Sequence, residues 1–170
     1  MNFHKTLVEL KLKSPLVHCI TNYVAMNISA NILLSVGASP AMIHAAEETP
    51  SFSKIANSLS INIGTISPYW YTGIKEAIKS AKKHNVPWVF DPVAHFATEY
   101  RNNVALEILE QNPSVLRGNA SEIISLSGDK TDAKGVDSKD PVEQAENIAY
   151  DIAKKKSIVV VFGDAKVDGK

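Results

Sequence analysis

Hydrophobic residues fall into short runs separated by longer, helically spaced segments. PLVHCI (15–20), SPAMIH (39–44), SINIGTI (60–66), VPWVFD (86–91), SVLRGN (114–119) and SIVVVFG (157–163) are brief apolar runs of the kind that form buried strands. Between them the spacing changes. In YVAMNISANILLSV (23–36), Val24, Ile28, Ile32 and Val36 share one face, which predicts a buried helix stopped by Gly37. PSFSKIANSL (50–59) predicts a helix with Thr49 as N-cap and Pro50 in its first turn. Ser67-Pro68 opens a long helix through Asn85, and further helices are expected near 101–112, from Asn119, and from Asp140-Pro141-x-Glu143 to Lys156. SGDKTDAKGVDSKD reads as a polar surface connector.

Strands separated by helices predict parallel pairing through right-handed crossovers. The expectation is an α/β fold with a mostly parallel sheet and helices on both faces. No repeat or linker divides the chain, so residues 1–170 are expected to form one domain. In such sheets ligands bind beyond the carboxyl ends of the strands. The cluster His18, Cys19, Thr21, Asn22 and Tyr23 stands at the first of those ends. The same edge collects His44, Gly64-Thr65, Asp91-Pro92 and Arg117-Gly118-Asn119. That coincidence predicts a site.

Composition narrows the classes. The chain is 45% apolar and 21% charged, and eighteen basic residues balance eighteen acidic ones, so no net field draws it to nucleic acid or an anionic membrane. The clusters Lys82-Lys83 and Lys154-Lys155-Lys156 fall at helix ends, where cations complement the dipole. One cysteine forms no internal disulfide, and neither C-x-x-C nor H-x-x-x-H occurs, which points to a reducing cytoplasm and against a Cys/His metal site. No run approaches the roughly 18 apolar residues of a membrane span. The opening MNFHKTLVELKLK lacks a signal-peptide core.

Common phosphate and nucleophile motifs are missing: there is no G-x-x-x-x-G-K-[ST], G-x-G-x-x-G or G-x-S-x-G. Asn119-x-x-Glu122 is a capping box by spacing; it equally offers a carboxylate near a divalent metal, with Arg117 available to phosphate. Asp91-Pro92 is either a turn initiator or an acidic ligand for metal-bound water. His18 and Cys19 read as packing residues. Tyr69-Trp70-Tyr71 reads as packing or surface, with stacking on a ligand as the alternative.

VHCITNYVAMNISANILLSVGASPAMIHAAEE, NIGT, FDPV, LRGNASEI and GVDS stand in the order found in hydroxyethylthiazole kinases, and the chain resembles that family from about residue 14 to 163. The resemblance implies a ribokinase-like fold and a homotrimer whose pocket lies between neighbouring subunits. It also implies transfer of the γ-phosphate of ATP, with Mg2+, to the hydroxyl of 4-methyl-5-(2-hydroxyethyl)thiazole in thiamine salvage. On that basis Asn22 lines the thiazole pocket, Val24 gives it an apolar contact and Met42 touches substrate through its backbone. Arg117 contacts ATP, while Asp91 and Glu122 surround the metal.

Three departures accompany the resemblance. The family follows D-P-V with Gly-x-Gly, whereas this chain has Ala94-His95-Phe96, and side chains there restrict backbone approach to an anion. Phe162 stands where the family has a nucleotide-contacting Thr. The family also continues well past the position of Lys170, through a Gly-rich turn and a catalytic base. The expectation is therefore a C-terminally incomplete chain with no catalytic base of its own and weak or no activity. A non-catalytic thiazole-binding or subunit-partner paralogue is the alternative.

Overall fold

A chain that alternates short apolar runs with amphipathic segments has to pair its strands in parallel. The computed structural model, which describes residues 3–127 and 141–163, shows this arrangement. In chain order the elements are α1 (Phe3–Lys13), β1 (Leu16–Ile20), α2 (Met26–Ser35), β2 (Ser39–Met42), α3 (Thr49–Ile55), β3 (Ser58–Asn62) and α4 (Pro68–Lys83). They continue with β4 (Trp88–Asp91), α5 (Glu99–Leu109), β5 (Val115–Gly118), α6 (Ala120–Ser125), α7 (Pro141–Lys156) and β6 (Val159–Phe162). The strands are hydrogen-bonded in the order β2-β1-β3-β4-β5-β6. The pairs β1–β2, β1–β3 and β5–β6 are parallel. The fold is α/β. Its backbone divides into two compact units, Met1–Val89 and Phe90–Lys170.

In the first unit β1 is buried from Val17 to Ile20, as a strand covered on both faces must be. Val17 and Cys19 pack with Ala38, Leu33 of α2 and Met42. Side chains alternate across a strand, so His18 points the other way, toward α3. There its Nε2–H donates to the Ile43 carbonyl and its Nδ1 accepts from the Ser53 hydroxyl, both at 2.9 Å. The Ile43 oxygen can only accept, which fixes this tautomer. Burial lowers the His18 pKa and pushes the Cys19 thiol up to about 11. Both residues are packing groups, as their sequence context predicts.

Two helices depart from expectation. No residue of α2 is buried: Ile28, Ile32 and Leu34 are exposed, and Val24 just before the helix is 87% exposed. A shared apolar face is all that periodicity reveals, and among the described residues nothing covers this face. Thr49 is not an N-cap. Glu48 holds that position without a side-chain cap, while the buried Thr49 hydroxyl donates to the Gly73 carbonyl at 3.1 Å. That helix also ends at Ile55, and Ser58 and Leu59 belong to β3, where Leu59 and Ile61 are fully buried.

Helix α4 follows its sequence closely. Ser67 caps it by accepting from the Trp70 N–H at 3.2 Å, and Trp70, Gly73, Ile74, Ala77, Ile78 and Ala81 form its buried stripe. In the second unit Thr98 caps α5 through the Arg101 N–H, and Val104, Ala105, Ile108 and Leu109 are buried. Lysines occupy the last turns of α4 and α7, as expected at dipole ends. The polar connector, apart from Ser127, and the cap at Asp140 lie outside the described residues. No helix among the described residues is long and apolar enough to cross a membrane.

Gly73 is required by a close approach: a Cβ there would overlap the His44 carbonyl oxygen. Ala in a helix interior is normally about 1 kcal/mol better than Gly. Gly73→Ala should nevertheless lower the urea midpoint, because the overlap is with backbone; chemical denaturation reads the sign directly.

Candidate functional site

Backbone amides just beyond parallel strands lack ladder partners, and this chain supplies them with side chains. In the first unit the Asn22 Nδ2 donates to Asn62 Oδ1 at 2.7 Å, and Asn22 Oδ1 accepts from the Ala25 N–H at 2.8 Å. Asn62 Oδ1 also takes the Gly64 N–H at 3.0 Å, and the Thr65 hydroxyl accepts from the Tyr23 N–H at 3.1 Å. The loops after β1 and β3 are thereby tied together. Asn22 keeps one N–H and one lone pair beyond these bonds.

An aromatic stack stands beside them. His44 lies on Trp70 at 4.1 Å with the rings 20° apart, and Tyr23 tilts against the same indole at 4.7 Å. Burial holds His44 below the ordinary imidazole pKa, opposed by a backbone hydrogen bond at Thr21. Trp70 is thus a packing residue. Tyr69 is exposed and donates to Glu47 Oε2 at 3.2 Å, and Tyr71 lies under the Lys75 ammonium.

The second unit contains a cavity of about 440 Å3 lined by Asp91, Val93, Arg117, Gly118, Glu122 and Phe162, among others. Arg117 Nη1 donates to Asp91 Oδ2 at 2.8 Å. Burial pushes the Asp91 carboxyl above its usual range, and the Arg117 charge opposes that rise. Asn119 and Glu122 form the capping box that their spacing predicts: Asn119 Oδ1 accepts from the Glu122 N–H at 2.9 Å and Glu122 Oε2 from the Asn119 N–H at 2.8 Å. The other Glu122 oxygen accepts from the Ala94 N–H at 2.9 Å. Next to it His95 is fully buried in a single 3-10 turn; burial lowers its pKa, opposed by the Ser125 backbone, and among the described residues its ring nitrogens make no hydrogen bond of good geometry.

Mg2+ is usually held by one or two carboxylates together with phosphate oxygens and water. Asp91 fits such a role, since it faces the cavity through an ion pair that a phosphate could replace. Glu122 also lines the cavity; it is 7% exposed, and each of its oxygens takes one backbone N–H and keeps a lone pair. Among the described residues no group of three or more His, Cys, Asp or Glu could hold a metal ion.

The Hydroxyethylthiazole kinase family description matches residues 7–168. The chain belongs to that family. It is 53% identical over 167 residues to a hydroxyethylthiazole kinase of Rhizobium johnstonii, covering 96% of this chain and 62% of the relative. The solved structure of a hydroxyethylthiazole kinase protein from Pyrococcus horikoshii superposes with a TM-score of 0.84 at 37% identity, over 95% of this chain and 60% of that one. A putative ribokinase II from E. coli, at 12% identity and a TM-score of 0.55, covers 94% of this chain and 60% of its own and shares the fold alone. The chain therefore spans about three fifths of the length of these relatives.

Of the positions that the hydroxyethylthiazole kinase resemblance singles out, Asn22, Val24 and Met42 lie at the strand ends of the first unit. Met42 is half-buried and packs its side chain against the core cluster. Asp91, Arg117 and Glu122 meet in one cavity of the second unit. Phe162 lines that cavity too. Ala94 adopts a left-handed backbone, φ 47°, which a glycine would take without strain. Neither the His44–Trp70 stack nor the Glu122–Ala94 bond is signalled by local spacing, because both join residues far apart in the chain.

Replacing Arg117 with Met should raise the Asp91 pKa further, read by carboxyl 13C titration. A folded-state carboxyl with a raised pKa loses stability as pH climbs from the ordinary value to the folded one. In the variant that decline should extend to higher pH than in wild type.

Proposed function

We propose that the protein acts as a hydroxyethylthiazole kinase, transferring the γ-phosphoryl group of ATP to the hydroxyl of 4-methyl-5-(2-hydroxyethyl)thiazole. The observation that carries this reading is the family match over residues 7–168. The two polar edges supply matching chemistry. Asn22, though largely buried, retains a donor and an acceptor for a heteroaromatic alcohol, with Val24 exposed two residues on and Met42 at the end of the strand that pairs with β1. Arg117, paired with Asp91 in the free chain, would turn to phosphate oxygens as a charge-assisted donor. Mg2+ arriving with ATP would then find the Asp91 carboxylate, and its role is to neutralise charge on the phosphates. One free, buried cysteine suits a reducing cytoplasm.

The reaction breaks the bond from the γ-phosphorus to the β-bridging oxygen and forms one to the alcohol oxygen, releasing ADP and a proton. Calorimetry on the purified chain tests the reading. Thiazole alcohol and ATP should both bind, and Asn22→Leu should weaken thiazole binding while leaving ATP affinity in place. Binding of neither ligand by folded protein refutes the reading, and thiazole binding without ATP identifies a non-catalytic thiazole-binding protein instead.

A homotrimer belongs to the same reading. Its support is the uncovered stripe of Val24, Ile28 and Ile32, an exposed apolar face of the sort that marks association. Sedimentation should show a trimer that Ile28→Glu with Ile32→Glu dissociates; a monomeric wild type would sink this part.

A further inference from the structure

We propose that Glu122 is a positioning residue that fastens two walls of the second-unit cavity to each other, and that it does so independently of any metal ion. Its carboxylate spans the turn after β4 and the start of α6, taking the Ala94 N–H on Oε1 and the Asn119 N–H on Oε2. These walls carry the groups that face the cavity, Asp91 and Val93 on one and Arg117, Gly118 and Asn119 on the other. Removing the carboxylate leaves two amides without partners and lets the walls part.

Three further observations converge on this role. Gly118 leaves room for the carboxylate: a Cβ there would stand 3.0 Å from Glu122 Oε2 and 3.2 Å from its Cβ. Ala94 holds a left-handed backbone, which a residue with a Cβ keeps only when its surroundings insist. The bond to Glu122 is that insistence. His95, next in sequence, is carried into full burial by the same turn.

The fastening is a property of the free chain; its effect on phosphate binding rests on the proposed kinase reading. Amide hydrogen exchange on the full chain tests it without any nucleotide. The Ala94 and Asn119 amides should be protected in wild type, equally with and without Mg2+. Glu122→Ala should release both, and Glu122→Gln, which keeps only one acceptor oxygen, should release one. The Gln variant carries the comparison if the Ala variant fails to fold. Fast exchange at Ala94 in wild type, or loss of its protection on adding Mg2+ alone, overturns the proposal.

A second readout separates the two roles. ATP affinity of Glu122→Gln should fall by roughly tenfold, a scale typical for residues that orient a contact, and by the same factor in EDTA as in Mg2+. A loss confined to Mg2+ makes Glu122 a metal ligand and overturns the proposal. Wild type that binds no ATP in either condition defeats the kinase reading, while the exchange data still decide the fastening.

Discussion

Parallel strands that all run the same way expose their unpaired backbone amides beyond one end, and a buried amide without a partner costs free energy comparable to a lost hydrogen bond. The chain meets this constraint with short polar side chains. Asn22, Asn62 and Thr65 meet it in the first unit, and Asn119 and Glu122 in the second. The groups that quiet the strand ends are therefore the same residue types that a ligand site needs. Fold and chemistry share one set of atoms.

That sharing takes a different form at the two edges. Asn22 is buried and fixed by two hydrogen bonds that tie the loops of the first edge together. At the second edge Asp91 and Arg117 satisfy each other in a 2.8 Å ion pair. Arg117 is largely exposed in that pair, so solvent screening keeps the attraction weak. Asp91 is the more enclosed partner, and its raised pKa reflects burial that the guanidinium only partly offsets.

Several elements were legible because their signals are local. The Asn119–Glu122 capping box, the Ser67 cap, the Gly37 stop and the lysines in the last turns of α4 and α7 all involve residues within one or two turns of each other. Thr49 failed for the complementary reason. Its side chain had a local role open to it, and a distant carbonyl, that of Gly73, took the hydroxyl instead. The α2 face failed because spacing shows that residues line up and says nothing of what covers them.

By itself the sequence determined the α/β order, the strand ends as the place for polar residues, and, through long and idiosyncratic motifs, membership of a kinase family. These follow from periodicity, capping and residue identity, which operate over a few neighbouring positions. Only the tertiary structure decided that Glu122 spends its second oxygen on Ala94, that His44 lies flat on Trp70, and that α2 leaves its apolar face open. Each depends on which distant segment arrives alongside. Spacing along the chain carries no record of that distance.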